Sequence, residues 1–187
     1  MKIMIVEHDR NLLNSLERFY LSLNHQVMTC FDGVIAVNNF EDDVDLLVID
    51  INVPRISYLE TIELLKKKKE KLITFLILDT PNIDNQILLD SKMIDEFYSL
   101  PFTAEELRAS IQNIDLLKDD YGVHLTIKER IILKELKDKS IIQFKDINHK
   151  IFKSDEIYQY IESINAKLTK QRLALEEKGF KLVNKND

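Results

Sequence analysis

The chain has 187 residues, room for one large domain or two small ones, and a formal net charge of -6. With three glycines and three prolines it lacks the turn residues that an all-β sandwich or barrel needs, and its 45% apolar content is too high for a disordered chain. A single cysteine, Cys30, excludes an internal disulfide and a cysteine-built zinc cluster. Cys30 sits in an apolar run, as a small core residue would, and so points to a reducing, cytoplasmic compartment. The start, MKIMIVEHDR, has no signal-peptide pattern, and no window approaches the 18 apolar residues of a membrane span.

In chain order, KIMIV (2–6) is a short apolar run stopped by Glu7-His8-Asp9, the mark of a buried strand. Residues 11–23 place Leu12, Leu13, Leu16, Phe19, Tyr20 and Leu23 at helical spacing. QVMTC (26–30) predicts a second strand, Asp32-Gly33 a turn, and Val34, Val37 and Phe40 a short helix. LLVID (46–50) is a third strand ending in a carboxylate, with Pro54 closing the next loop. Residues 58–69 are expected as a helix with Leu59, Ile62 and Leu65 inward and Lys66 to Lys69 outward. LITFLIL (72–78) predicts the fourth strand, stopped at Asp79, and Ile83 to Met93 a helix with Ile87, Leu88 and Ile94 inward. EFYSL (96–100) is the fifth strand, before Pro101. Thr103-Ala-Glu-Glu106 has the form of a capping box and opens a helix running through Leu107, Ile111, Ile114 and Leu117.

Asp119-Asp120-Tyr121-Gly122 is a polar break. Beyond it, residues 126–138 predict a helix with Ile127, Ile131, Ile132, Leu133 and Leu136 on its apolar side, and residues 144–152 a second, short one. Residues 154–169 predict a third helix, with Ser154 as N-cap and the stripe Ile157, Ile161, Ile164, Leu168. Residues 172–183 read as a hairpin around Glu-Lys-Gly. Ahead of this block there is room for one strand, VHL (123–125), for the hairpin to pair with. Five strand–helix repeats predict an α/β domain, a doubly wound five-stranded parallel sheet, over 1–118. A linker at 119–124 precedes a small α+β domain at 125–187, whose three helices and hairpin follow the order of a winged helix-turn-helix.

Two features bear on function. Three of the five strands, the first, third and fourth, end in acid, at Glu7, Asp50 and Asp79, and ligands of open α/β sheets bind outside the carboxyl ends of the strands. Like charges gathered there repel unless a cation or proton intervenes, which points to a metal-assisted acidic pocket rather than three solvated strand ends. The net charge also splits: residues 1–121 carry 12 Lys+Arg against 22 Asp+Glu, and residues 122–187 carry 14 against 10, so -10 meets +4. A basic segment can face nucleic acid or an acidic partner. No Ser/His/Asp arrangement, HExxH or phosphate-cradling glycine loop is present, so no catalytic residues are assigned and an enzyme is not expected.

KIMIVEHD, DLLVIDINVP and LPF at the ends of strands one, three and five, followed by LTIKE (125–129), IIQFKDINHKIF (141–152) and GFKLV (179–183), resemble a response regulator. The likeness is to a CheY-like receiver domain joined to an OmpR/PhoB-type winged-helix output domain. The resemblance implies that Asp50 holds the phosphoacceptor position, that Glu7 and Asp50 belong to the Mg²⁺ site, and that the carbonyl of Asn52 faces it. It puts Phe97 at the aromatic switch position and implies a cis bond at Leu100-Pro101, with Phe102 next. Against the family pattern, His8 replaces a metal-binding Asp, Asp79 replaces the Ser/Thr that bonds the phosphoryl group, Leu100 replaces the pairing Lys, and Ser57-Tyr58 replaces Asp-Gly. Asp79, Phe97 and Leu100 are therefore degenerate switch positions in a pocket of Glu7, His8, Asp9, Asp50, Asn52 and Asp79. Phosphorylation of Asp50 is not expected to drive this protein, no cofactor is required, and Mg²⁺ binding is expected to be weak. Either His8 is a harmless surface substitution, or His8, Asp9, Asp50 and Asp79 hold a softer divalent metal.

For the output domain, the resemblance places helix 154–169 as the recognition helix in a DNA major groove. Its exposed face is expected to carry Asp155, Glu162, Ser163, Asn165 and Ala166, with Lys167 basic and Gln159 and Asn165 able to read an adenine edge. Lys150, Lys153, Lys170, Arg172, Lys178 and Lys181 surround it and would grip phosphates. Two functions stay open: a DNA-binding transcriptional regulator acting without phosphorylation, or a pseudo-receiver with a protein-binding winged helix and no DNA role. The family's homodimer face, made by the fourth helix, fifth strand and fifth helix, would here use Ile87 to Met93 and Arg108 to Leu117, with Arg108 among Glu105, Glu106 and Asp115. No membrane partner is expected, and no cognate kinase is identified.

Overall fold

A computed structural model describes residues 1–79, 93–118, 124–139, 141–143, 157–168, 171–176 and 179–184. Two compact units divide the chain: Met1–Asn82 with Met93–Pro101, and a second that includes Phe102–Asp187. In the first unit, β1 (Lys2–Val6), β2 (Gln26–Cys30), β3 (Leu46–Asp50), β4 (Ile73–Leu78) and β5 (Glu96–Ser99) form one parallel sheet in the order β2-β1-β3-β4-β5. β1, β3 and β4 read as unbroken apolar runs because both their faces are covered, and Ile3 to Val6, Leu46 to Ile49 and Phe75 to Ile77 are almost wholly buried. Each such side chain is worth about 1.5–3 kcal/mol of burial. β2 lies at one edge of the sheet, and its residues are less covered. Cys30 is buried, and desolvation pushes its thiol up to about 11.

α1 (Arg10–Ser22) packs on β1 and β2 through Leu13, Leu16 and Tyr20, one helical face, and Asp9 caps it by accepting from the Asn11 and Leu12 amides. α2 (Gly33–Asn39) is capped by Asp32 and packs on α3 (Tyr58–Lys68). Gly33 opens α2 rather than making a free turn: a Cβ there would meet Thr61 Oγ1 and lie 2.6 Å from Ile56 Cγ1. α3 buries Thr61, Ile62 and Leu65, but Leu59, expected inward, is 43% exposed. At 100° per residue Leu59 lies roughly 110° from the centre of that face. Lys66, expected outward, is partly buried, and its ammonium donates to the Leu72 carbonyl at 2.8 Å. The expected helix at Ile83 to Met93 lies outside the described residues up to residue 92.

In the second unit, Thr103 and Glu106 form the expected capping box at the start of α4 (Ala104–Gln112). α4 is shorter than expected: Asn113 ends it, its amide and side chain both turned onto the Ala109 carbonyl, and Ile114–Lys118 continue as a 3-10 helix. α5 (Ile127–Lys139) and α6 (Ile157–Lys167) share a core of Leu125, Ile132, Leu133, Leu136, Ile157, Tyr160, Ile161 and Ile164. The strand expected at 123–125 is not seen in its described part, His124 and Leu125; Leu125 is buried in the helical core instead. The third strand is β6 (Ile141–Gln143), directly after α5. It pairs antiparallel with β8 (Gly179–Asn184), whose other edge pairs antiparallel with β7 (Gln171–Glu176), the expected hairpin. The expected helix at 144–152, Ser154 and the break at 119–122 lie outside the described residues.

Candidate functional site

The chain order of the sheet reverses between β1 and β3, and the crevice beyond their carboxyl ends is where such sheets hold ligands. Val6 is in register with Ile49 across that pair, so Glu7 and Asp50 emerge side by side. A cavity of about 660 Å³ lies there, lined by Glu7, His8, Asp9, Asp50, Asn52, Asp79 and Leu100, with Asn11, Leu12 and Ser15 from α1. All six acidic-pocket positions of the sequence reading line it. No lysine or arginine is among these lining residues. Arg55, held at a left-handed φ of 74°, pairs with Asp32 at 3.1 Å.

Glu7 and Asp50 are buried, at 1% and 3% exposure, whereas the His8 side chain is half exposed. Glu7 Oε1 accepts the Asp9 amide at 2.8 Å, and Glu7 Oε2 has no hydrogen-bond partner. Asp50 Oδ1 accepts the Asn52 amide at 3.1 Å, while Oδ2 lies 2.9 Å from His8 Nδ1. The same Nδ1 lies 3.4 Å from Glu7 Oε1. The Asn52 side-chain amide donates to Asp79. Asp9, expected among the ligands of a soft metal, is turned away: its Oδ1 accepts two α1 amides as the cap. Burial, then the neighbouring Asp50 charge, drive the Glu7 carboxyl up to about 7. Burial also raises Asp50, with the Asp79 charge adding to it, against the opposing pull of the Asn52 amide and His8.

The donor atoms of Glu7, His8 and Asp50 lie within 4.8 Å of one another, a set able to hold a cation. A small hard ion such as Mg²⁺, which the resemblance implies here, requires near-octahedral oxygen ligation. One of the three donors is an imidazole nitrogen, so the set does not fit Mg²⁺, and no Mg²⁺-dependent step follows from it. Of the switch positions, Leu100 lines the cavity, Asp79 is held by Asn52, and Phe97 is buried in the sheet. Leu100-Pro101 is cis.

The expected DNA-facing residues fare differently. Lys167 is 10% exposed, and its ammonium lies 2.9 and 3.0 Å from the two oxygens of Glu129. Glu129 is wholly buried; it also accepts the Ser163 hydroxyl at 2.6 Å and the Thr126 amide at 2.7 Å. Ser163, expected on the exposed face, is therefore buried, because its hydroxyl serves this carboxylate. Glu162 and Ala166 are exposed as expected; Gln159, Asn165 and Lys181 are half buried, with the Gln159 Oε1 enclosed. Asp155, Lys150, Lys153, Lys170 and Lys178 lie outside the described residues, and Arg172 is described as backbone in β7. The Thr126–Glu129 pair is a second capping box whose T-x-x-E pattern the sequence reading passed over. On the expected dimer face, Glu106 is buried in its own capping box, and Arg108 is exposed.

No family model matches the chain. It is 31% identical over 111 residues to the uncharacterized transcriptional regulatory protein YrkP of Bacillus subtilis (strain 168), covering 59% of this chain and 47% of YrkP. It is 26% identical over 113 residues to the transcriptional regulatory protein CpxR of Escherichia coli (strain K12), covering 60% of this chain and 48% of CpxR. The chain thus spans about half the length of the curated relatives it matches. Among solved structures, a RitR mutant superposes with a TM-score of 0.60 at 15% identity, covering 98% of this chain and 99% of that one. The response regulator TrrA of Thermotoga maritima, in complex with Mg²⁺-BeF, superposes at 0.52 with 26% identity, covering 59% and 96%. The five-stranded parallel sheet is the receiver fold of two-component response regulators, and the curated relatives are transcriptional regulators. No helix among the described residues is long and apolar enough to cross a membrane.

Proposed function

We propose that this chain is an atypical response regulator: a DNA-binding transcriptional regulator whose receiver unit acts without phosphorylation of Asp50. One observation carries the reading. The Asp50 carboxylate, which would have to attack a phosphoryl group, is occupied on Oδ2 by His8 and on Oδ1 by the Asn52 amide. The lining residues around it offer Leu100 and Asp79 where a lysine and a hydroxyl would serve. A carboxylate attacks a phosphoryl group only when a cation offsets the charge of both partners, and an added carboxylate raises that barrier. Acetyl phosphate or beryllofluoride with Mg²⁺, followed by intact-mass measurement, should leave Asp50 unmodified; stoichiometric modification sinks the reading.

The likeness to YrkP and CpxR, over 111 and 113 residues, supports transcriptional regulation. Our reading takes 1–118 as receiver, 119–124 as linker and 125–187 as winged-helix output domain. DNA contact rests on phosphate gripping by Lys150, Lys153, Lys170, Arg172, Lys178 and Lys181, with homodimers bringing two such surfaces together. Lys167 contributes little, since Glu129 holds it. The second reading, a protein-binding module without DNA affinity, is favoured by that same pairing and by exposed Glu162 on α6. A gel shift of the full chain on genomic fragments across a salt series separates the two. Retention that weakens steeply with salt supports the regulator; none at low salt supports the second reading.

A further inference from the structure

We propose that Glu7, His8 and Asp50 form a binding site for a borderline divalent cation of the Zn²⁺ and Co²⁺ class, with Mg²⁺ excluded. The inference stands apart from DNA binding and concerns the cavity alone. The three donors come from the carboxyl ends of β1 and β3, neighbours across the parallel pair, so the sheet itself positions them. His8 Nδ1 lies 2.9 Å from Asp50 Oδ2 and 3.4 Å from Glu7 Oε1. Ligand atoms around a tetrahedral ion with bonds of about 2.0–2.1 Å stand about 3.3 Å apart, so the Glu7 edge already has that length and the Asp50 edge needs to open by only about 0.4 Å. The third edge closes from within 4.8 Å by small side-chain movement.

A second observation points to a ligand independently. Glu7 is 99% buried by residue and lines the cavity, yet Glu7 Oε2 has no hydrogen-bond partner. A buried carboxylate oxygen left without a donor is costly, and a cation held by the Glu7 carboxylate through both oxygens, Oε1 on the edge to His8 Nδ1 and Oε2 beside it, is one of the few ways to satisfy it. Two buried carboxylates among lining residues that hold no lysine or arginine make a charge that a divalent ion cancels. The ion takes the place of the direct contact between Nδ1 and Asp50, and the His8 ring stays half exposed.

Selectivity follows from the imidazole. Mg²⁺ sheds water reluctantly and prefers oxygen, whereas imidazole suits Zn²⁺, Co²⁺ and Ni²⁺. Asp9 and Asp79 stay outside the inner set, because one caps α1 and the other takes the Asn52 amide. Water in the cavity completes the coordination.

The test is a titration of the EDTA-stripped full chain with Co²⁺, read by visible d–d absorption. A saturable spectrum is expected, without a thiolate-to-cobalt charge-transfer band, since Cys30 is buried in the core. Zn²⁺ should displace Co²⁺, and a hundredfold excess of Mg²⁺ should not. Loss of partners one step removed from a metal already weakens sites 10–100-fold, so His8→Ala should weaken Co²⁺ binding by at least about a hundredfold. His8→Asp should reverse the preference toward Mg²⁺. His8 is half exposed, and unchanged far-UV circular dichroism would show that its variants fold; Glu7→Gln gives an independent second loss of affinity. Absence of the cobalt spectrum, equal displacement by Mg²⁺, or undiminished binding in His8→Ala (which would place the metal at His25, His124 or His149) overturns the proposal. None of these results bears on DNA retention, so the two readings fail separately.

Discussion

Replacing Glu7 by Gln should stabilise the protein, and increasingly so as pH rises. Glu7 is 1% exposed, with one oxygen on the Asp9 amide and the other unpartnered. Burial raises its carboxyl from 4.5 to about 7. Between those values the folded chain holds a proton that the unfolded chain has released. The native state then binds more protons, so stability falls as pH rises from 4.5 to about 7 and is level above. At 1.36 kcal/mol per pKa unit, the full loss is about 3 kcal/mol at pH 8, of which less than about 1 kcal/mol is present at pH 5. Glutamine keeps the shape and the acceptor for the Asp9 amide but cannot ionise. Urea unfolding followed by far-UV circular dichroism, with EDTA present, should show Glu7→Gln gaining about 2–3 kcal/mol more over the parent at pH 8 than at pH 5. A gain that is flat with pH, or a loss at pH 8, would refute the reasoning, because the burial of an ionisable Glu7 would then not be what the native state is working against.

In the second unit, Lys167→Met should destabilise by about 3 kcal/mol, since it strands the buried Glu129 charge, while Glu129→Gln with Lys167→Met should lose less than the two single changes together; denaturant midpoints of the four species form the cycle. Gly33→Ala should lower stability by about 1–3 kcal/mol despite alanine's better helix propensity, because its methyl meets Thr61 and lies 2.6 Å from Ile56; an unchanged melting temperature would refute that packing. Thr126→Ala, which removes the hydroxyl that accepts the Glu129 amide at 3.3 Å, should cost about 1 kcal/mol, read as a fall in the denaturant midpoint. Combining His8→Asp, Asp79→Thr and Leu100→Lys should make Asp50 modifiable by acetyl phosphate with Mg²⁺, visible as one phosphoryl mass; a triple variant that stays unmodified would show that the block lies elsewhere.

Much of the first unit was legible because its signals are local. Short apolar runs closed by Glu7, Asp50 and Asp79 can be read without knowing their neighbours, and so can the Thr103–Glu106 capping box. The acidic pocket was legible one step further on, since a parallel sheet must bring successive strand ends to one edge. Leu59 was misplaced because an apolar residue one position off a helical face still looks periodic. Ser163 and Lys167 read as surface residues of an exposed helix because Glu129, their partner, lies 34 and 38 positions away in the chain. The third strand was sought before α5 rather than after it, because three residues such as Ile141–Gln143 carry too little pattern to read as a strand without β8 beside them.

The sequence by itself determined the alternation of strand and helix and the stops at Glu7, Asp50 and Asp79, since these are properties of composition and short-range period. Only the tertiary structure decided what His8 does. Whether its imidazole points to solvent or onto Asp50 depends on a contact spanning 42 residues of chain. That contact exists because β1 and β3 lie side by side in register, which no local pattern encodes. The same long-range pairing buries Glu7 close to a second carboxylate, and so turns a row of acidic strand ends into a pocket in which one buried Glu7 oxygen has no hydrogen-bond partner.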